Sequence, residues 1–248
     1  MKYGIFIVTI ALLGVGPGER LHAAVDVAAT SVNTELNDGK SQAASLTATP
    51  KNRLLHYDAY LSGVHVGSAR IYLDTTANAY RIAGSARSEG LWERFQQWRA
   101  EFAAQGVRQA TLPKPSRFTA TQTTPKKQRE LVVENDLLRV TKNHKKRDPR
   151  PALPGIDLLS ALFLIPQPCE EALQVHTGRD GYRFNLSAQL GELGCRYNVR
   201  SDEERDYQLV IAYRRLADLL IPQRIDIDGP LNGYLILTKL EDPPRVAN

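Results

Sequence analysis

The chain has 248 residues, with 32 Lys and Arg against 27 Asp and Glu and a formal net charge of +5. Beyond an apolar N-terminal leader, no stretch is long and apolar enough to be expected to span a membrane as a helix. The folded part is expected to comprise about 190 residues, a length that suits one all-β domain.

The first residues have the pattern of a secretory signal. Lys2 supplies a positive charge and residues 5–15 an apolar stretch of the expected length. Small-residue exits follow at residues 22–24 or 27–29, and an uncleaved anchor is the alternative. We therefore predict a signal peptide over residues 1–24 and a periplasmic location. No cysteine lies at the exit, which argues against a lipid-anchored lipoprotein.

The segment at residues 25–51 is rich in Ala, Ser, Thr, Asn and Asp and lacks an apolar period. Such a composition cannot bury enough surface to offset the entropy of ordering. It predicts a disordered arm, followed by a β domain over residues 52–240 and a flexible tail at 241–248.

The most apolar stretch of the expected mature chain is residues 154–168. Asp157 is a candidate helix N-cap, because its carboxylate can accept from the first free N–H groups. Pro166 must end the helix, since proline lacks the N–H and clashes with the preceding turn. Two turns of helix with almost no polar face need to be covered. Most other segments alternate in period two, as strands do.

The predicted fold is therefore mainly β. It is a single domain with a curved antiparallel sheet or partly open β-barrel of about ten strands, wrapped on one or two short helices. Gly67 interrupts the alternation of residues 64–74, which indicates a β-bulge or a close backbone approach. Residues 134–136 and 177–181 are predicted turns.

Aromatic residues are concentrated at residues 92–102. Leu91, Trp92 and Phe95 have helical spacing and predict a short amphipathic turn. Trp98 and Phe102 then alternate as one face of a strand. Two interpretations stay open: these side chains fill the core under a helix, or they form the edge of a ligand or membrane site.

Residues 114–150 carry eleven Lys and Arg against four acids. Such a segment can attract anionic head groups or other polyanions. The alternative is a set of solvated hairpin tips kept soluble by lysines. Because the chain is expected to be exported, nucleic acid is not an expected partner. The candidate anionic-surface patch comprises Lys126, Lys127, Lys142, Lys145, Lys146 and Arg147.

Two cysteines, Cys169 and Cys195, are the only ones in the chain. Export to an oxidising compartment favours a disulfide between them. Two buried free thiols and a metal pair are the alternatives, although no histidine spacing supports a metal.

Six short pieces, taken in their order and spacing, resemble the exported bacterial domain-of-unknown-function family 3108 (DUF3108). They are LSGVHVGSA (61–69), YRI (80–82), ARSEGL (86–91), DLLSAL (157–162), GRDGYR (178–183) and LIPQRIDI (220–227) with Gly233. The resemblance implies an exported envelope protein with a curved β fold and carries no catalytic pattern. A more distant analogy of fold is to the outer-membrane lipoprotein carriers, in which a sheet with a helical plug holds acyl chains.

No catalytic constellation is present in the sequence. The histidines lack metal-ligand spacing, and nucleophile elbows and phosphate-binding glycine loops are missing. Asp226 and Asp228 share one strand face, which is more typical of a wet surface than of acid–base chemistry. We expect neither an enzyme nor a cofactor or bound metal.

Three functions are compared. The first is a periplasmic binding module for a lipid or amphiphile with an anionic head. The second is an envelope assembly factor that binds a protein partner, or contacts an anionic membrane surface peripherally, through its basic face. The third, a hydrolase of envelope polymers, would need convergent carboxylates or a nucleophile. The candidate ligand contacts are Trp92, Phe95, Trp98, Phe102, Leu158, Leu162 and Phe163.

Overall fold

The computed structural model describes residues 51–110, 112–229 and 232–242, which form one curved sheet around a short helix. The first eight strands are β1 (Lys51–Leu61), β2 (Val64–Thr75), β3 (Ala79–Ser88), β4 (Arg99–Val107), β5 (Lys114–Thr124), β6 (Lys127–Glu134), β7 (Leu137–Lys142) and β8 (Lys145–Lys146). The other eight are β9 (Arg150–Pro151), β10 (Ile156–Asp157), β11 (Ala172–His176), β12 (Gly181–Gln189), β13 (Gly194–Ser201), β14 (Asp206–Leu216), β15 (Leu219–Asp228) and β16 (Gly233–Glu241). The helices are α1 (Gly90–Phe95) and α2 (Leu158–Phe163).

The strands follow one another as an antiparallel meander, with one long-range join. The order is β10-β11-β12-β13-β14-β15-β16-β1-β2-β3-β4-β5-β6-β7-β8, and β9 pairs with β7 off this path. The last strand, β16, therefore lies in the middle of the sheet, between β15 and β1. β10 and β11 are the exception to antiparallel pairing.

The prediction of a curved sheet wrapped on short helices is confirmed, but the prediction of about ten strands is wrong. The described residues form sixteen. Three of these, β8, β9 and β10, are two residues long. A two-residue strand has no period to read from a sequence, and only its partner identifies it.

The predicted domain limits fall close to the ends of the sheet. β1 begins at Lys51 and β16 ends at Glu241. The predicted signal peptide at residues 1–24 and residues 25–50 of the predicted arm lie outside the described residues. So do residues 243–248 of the predicted tail.

The side chains of each long strand alternate between a buried concave face and an outer face. In β4 and the residue before it, Trp98, Ala100, Phe102 and Ala104 share one face, as predicted, and all four are buried, so the core interpretation holds for them. Arg99 and Glu101 between them are exposed. The long strands thus contribute alternate side chains to one continuous core, whereas the two-residue strands β8 and β9 are exposed.

Gly67 lies both at a β-bulge and at a close backbone approach, the two alternatives that its position in the sequence predicted. The β1–β2 register shifts from Ala59 opposite Gly67 to Tyr60 opposite His65, so Val66 is the extra residue of a bulge. A Cβ atom on Gly67 would lie 2.3 Å from the carbonyl oxygen of Arg87. Only glycine lets β2 and β3 approach so closely there.

Helix α2 fills the concave side, and all six of its residues are buried. Asp157 is its N-cap, as predicted: the carboxylate accepts from Ser160 N at 2.9 Å and from Ser160 Oγ at 2.6 Å. Because the Ser160 hydroxyl proton is directed to Asp157, the Tyr80 hydroxyl donates to Ser160 Oγ across 2.9 Å. Burial raises the pKa of Asp157 to about 6. This hydrogen-bonded chain fixes the helix against β3.

The sheet curls until one of its edges packs inside the opposite wall. His176 at the end of β11 meets Phe118 of β5 edge-on, with ring centroids 6.1 Å apart. A Cβ atom on Gly178 in the following turn would lie 3.2 Å from the Phe118 ring and 3.5 Å from Val133. Phe118 points into the core. The turn at residues 177–180 therefore rests on the concave face of β5 and β6.

A disulfide joins Cys169 to Cys195, with the Cα atoms 5.2 Å apart, and so confirms the favoured pairing. It ties the segment that leaves α2 to β13. In the loop-entropy picture, closing a loop of 26 residues contributes about 3 kcal/mol to the free energy of unfolding.

Candidate functional site

The antiparallel register determines which turns lie at the same end of the sheet. α1 joins the end of β3 to the start of β4, where Arg99 is paired with Thr123 near the end of β5. β6 begins at this end, and β7, which is antiparallel to β6, ends here. We call this end the α1 rim; it comprises α1 and the hairpin tips at residues 125–127 and 142–146.

Helix α1 is held at its start and displays its apolar side chains. Glu89 N donates to Val66 O at 3.1 Å. The Glu89 carboxylate accepts from Ser68 Oγ at 2.7 Å and Arg87 Nε at 2.8 Å, and these hydrogen bonds lower its pKa. Leu91 and Phe95, one helical turn apart, are 70% and 85% exposed. The expected amphipathic turn therefore has an apolar face that the described residues leave exposed.

The seven predicted ligand contacts divide into two groups. Phe95 is exposed on the α1 rim, and Trp92 is half-buried against the core. The other five are at most 8% exposed and belong to the core: Trp98, Phe102, Leu158, Leu162 and Phe163. Only the first group has substantial surface to offer in this conformation.

The predicted basic patch also divides. Four of its members are exposed near the hairpin tips: Lys126, Lys145, Lys146 and Arg147. Lys127 and Lys142 are half-buried and lie on the concave face, because they share strand parity with the buried Leu131 and Leu138. Arg147 is exposed but also faces the concave side, because it lies opposite Val140, which shares strand parity with Leu138.

Two further cations join the inward-facing lysines, and the sequence argument did not single them out. Arg129 is directly opposite Lys142 in the β6–β7 pair. Arg179 is half-buried in the turn that rests on β5 and β6. We call Lys127, Arg129, Lys142, Arg147 and Arg179 the basic cluster. The alternation of Lys127, Arg129 and Leu131 could have predicted from the sequence that the first two residues of the cluster face inward.

The charges of the basic cluster are close enough to affect one another. Partial burial lowers the pKa of Lys127 to about 8, and the other four cations act in the same direction. Burial and the charges of Arg179 and Arg147 likewise lower the pKa of Arg129. The carboxylate of Asp180 lies beside them. Burial raises its pKa, Glu203 and Asp202 act in the same direction, and Arg179 and Arg129 oppose that shift.

An outward-facing cleft of about 300 Å³ lies between β14, β15, β16 and the β1–β2 turn. Asp226, one of the paired carboxylates in the sequence, lines it and accepts from Arg224 Nη2 at 2.7 Å. The Arg224 guanidinium also stacks 4.3 Å from the Tyr234 ring centroid. The carboxylate of Asp226 is therefore engaged in an ion pair.

The described part of the chain shows neither a helical membrane span nor a cluster of metal ligands. None of its helices has the length and apolar character to cross a bilayer. The same residues hold no group of three or more His, Cys, Asp or Glu side chains able to bind a metal ion.

The fold and the two surfaces define a mainly β protein with an open, curved sheet, a helical plug and a basic, apolar-tipped rim. The chain belongs to the DUF3108 family, described as a protein of unknown function, whose model matches residues 56–192, more than half of the chain. The piece at residues 220–227 that resembled the family lies beyond the matched range.

Solved structures include chains that are similar to this one. The chain is similar to the crystal structure of a beta-barrel-like protein of domain of unknown function DUF1849 from Brucella abortus, with a TM-score of 0.46 and 10% identity. The match covers 78% of this chain and 98% of that one. No curated protein matches the chain.

Proposed function

We propose that this protein is an exported, non-catalytic binding module of the cell envelope that holds an anionic amphiphile, a lipid by class, at the α1 rim. The observation that carries the proposal is that exposed apolar side chains and cationic hairpin tips occupy the same end of the sheet. The Cys169–Cys195 disulfide supports an oxidising compartment such as the periplasm.

The apolar half of the rim consists of Leu91 and Phe95 on α1, with Val64 at the start of β2, 56% exposed. α1 packs against β2, so these side chains belong to one end of the molecule. Burying each large apolar side chain in a hydrocarbon phase is worth about 1.5–3 kcal/mol. Acyl chains supply such a phase, whereas water leaves these side chains unfavourably exposed.

The polar half of the rim attracts negative charge. Exposed Lys126 lies in the β5–β6 turn, and Lys145 and Lys146 follow the β7–β8 turn. Arg99, Thr123 and Gln128 are successive cross-strand partners, so the strand that leaves α1 is about 10 Å from the strand that leaves Lys126. Apolar and cationic surface at this spacing suit a molecule with an acyl tail and an anionic head.

The core residues have a supporting part in this proposal. Leu158, Leu162 and Phe163 pack α2 against the sheet, where Phe163 meets Tyr57 with ring centroids 6.3 Å apart. The amphiphile contacts Trp92 and Phe95 at the rim, and the plugged interior keeps the rim in shape. The acyl chains would therefore lie at the α1 rim and not beside α2, unlike those held by the outer-membrane lipoprotein carriers.

The test is co-sedimentation of the full chain with phosphatidylcholine vesicles that contain or lack phosphatidylglycerol. We expect binding to the anionic vesicles and little to the neutral ones. The double variant Leu91→Ser/Phe95→Ser should weaken vesicle binding at least about tenfold, since two apolar anchors are lost.

The matched control is Val107→Ser/Leu190→Ser. These two side chains are also exposed, at 48% and 40%, but they lie at the opposite end of the sheet. The control should bind as the wild type does. Vesicle binding that is absent in the wild type, or equally weakened by both double variants, would rule out the rim as a lipid site. The assembly-factor alternative, with a protein partner on the basic face, would then be favoured.

A further inference from the structure

The β6–β7 hairpin carries basic side chains on both faces of the sheet. In the described part of the chain, carboxylates form ion pairs with the bases on the outer face only. On the outer face, Glu134 lies 3.7 Å from Arg117 and 3.6 Å from Arg139. On the concave face, neither Arg129 nor Lys142 has a carboxylate within 4 Å among the described residues. The unneutralised charges are thus the inward ones.

The position of two like charges directly opposite each other lowers the stability of the sheet. Arg129 and Lys142 are cross-strand partners, and like charges in that position destabilise a sheet. Both side chains are also half-buried, where water screens them less than at the surface. A packed protein interior gains nothing from such a pair unless an anion accompanies it.

The remaining cations are brought in by two other segments. Arg147 N donates to Val140 O at 2.9 Å, which folds the chain after β8 back onto β7. Arg179 lies in the turn closed by Thr177 N and Asp180 O at 3.0 Å. Three separate parts of the chain therefore converge on one place on the concave wall.

The turn that carries Arg179 is built to reach this place. Gly178 has a φ of +78° and sits against Phe118 and Val133, where a side chain would be crowded. Gly178 N donates to His176 Nδ1 at 3.2 Å. Backbone geometry thus positions Arg179, and the Asp180 carboxylate lies 3.3 Å from its guanidinium.

The balance of charge indicates the class of ligand. Five cations influence one another here, and Asp180 is the acid that acts on Arg129, with Asp202 and Glu203 near Asp180. Arg129 and Lys142 have no carboxylate within 4 Å among the described residues, so an anion with more than one charge suits this pair better than an anion with one. A phosphate monoester carries about 1.5–2 negative charges at neutral pH, and a diphosphate has a second charged phosphate. Both offer several oxygens, and arginine binds such oxygens through two parallel N–H donors. Gln122, buried and directly opposite Arg129 in the β5–β6 pair, adds an amide on the same face.

We propose that the basic cluster of Lys127, Arg129, Lys142, Arg147 and Arg179 is a binding site for a phosphate or diphosphate group. The inference names the head group of the amphiphile in the proposed function and in that sense rests on it. The same chemistry also suits a soluble phosphorylated compound, and the two sources are separable by experiment.

The test is isothermal titration of the full chain with inorganic pyrophosphate, for the wild type, Arg129→Gln and Arg139→Gln. Arg139 is the matched control, because it lies on the adjacent strand and its loss changes the net charge equally, but on the outer face. We expect Arg129→Gln to weaken pyrophosphate binding about tenfold or more and Arg139→Gln to leave it within about twofold. Arg129→Gln should melt no lower than the wild type, since it relieves like-charge repulsion.

Undetectable pyrophosphate binding by the wild type, or equal loss in the two variants, overturns the inference. Vesicles of phosphatidylcholine with phosphatidate then separate it from the proposed function. Pyrophosphate binding without vesicle binding retains the site and rejects the lipid, whereas vesicle binding without pyrophosphate binding does the reverse. If both occur, weaker vesicle binding by Arg129→Gln assigns the phosphate to the lipid, and unchanged vesicle binding assigns it to a soluble compound.

Discussion

Replacing Asp157 by alanine removes the only acid in the hydrogen-bonded chain that holds α2. The carboxylate accepts both the backbone N–H and the hydroxyl of Ser160, which is fully buried. Loss of a helix N-cap costs about 1 kcal/mol. A buried hydroxyl left without its acceptor costs about 1–3 kcal/mol more. We therefore expect Asp157→Ala to lower the free energy of unfolding by about 2–4 kcal/mol in urea titrations at neutral pH.

The matched variant is Asp157→Asn, which keeps a carbonyl oxygen for Ser160 N but presents an amide to the hydroxyl. Its stability relative to the wild type should depend on pH, because burial raises the pKa of Asp157 from 3.8 to about 6. Between these values the native carboxyl holds a proton that the unfolded chain releases. The contribution of Asp157 to the free energy of unfolding therefore falls as pH rises from about 4 to about 6.

The asparagine variant lacks this loss, so its deficit against the wild type should shrink across that window. A deficit that is constant from about pH 4 to about pH 6 would refute the raised pKa. Should Asp157→Ala fall within about 0.5 kcal/mol of the wild type, the capping hydrogen bonds would not stabilise the helical plug as argued.

Two further predictions concern the basic cluster and the disulfide. The pKa of Lys127 is about 8 in the native state, below its usual value, so the unfolded chain holds more protons above that pH. The free energy of unfolding should therefore rise between about pH 8 and about pH 10, and urea titrations of Lys127→Met should lack this rise; the same slope in both proteins would contradict the assignment. Replacing Cys169 and Cys195 together by serine should lower the free energy of unfolding by about 3 kcal/mol. A reductant should cost the wild type the same amount and leave the double variant unchanged, and a stable reduced wild type would show that the bridge contributes little.

Some of the fold was readable from short windows of sequence. Asp157 before an apolar run predicted the N-cap, and the alternation from Trp98 to Ala104 predicted that these four side chains share one strand face. Gly67 at a break in period predicted the bulge. Each of these features depends on a few neighbouring residues or on the fixed repeat of a strand. Local covalent spacing is enough to determine them.

Other features depended on partners far along the chain. The sequence left the state of Cys169 and Cys195 open, and the approach of β13 to the segment after α2 decided it. Two-residue strands such as β8 and β10 exist only because a neighbour pairs with them. The position of β16 beside β1 likewise joins the two ends of the described domain.

The candidate sites show the same division. The basic segment and the aromatic helix could be located from the sequence. The prediction, however, assigned all of the basic residues to one surface patch. The sequence could have predicted that Lys127 and Arg129 face the same side of the strand as Leu131, because side chains two residues apart on a strand share a face. Nothing local could bring Arg179 to them. That meeting results from the curl of the whole sheet, in which the twist between strands adds up over the sheet and places the β11–β12 turn on the wall formed by β5 and β6.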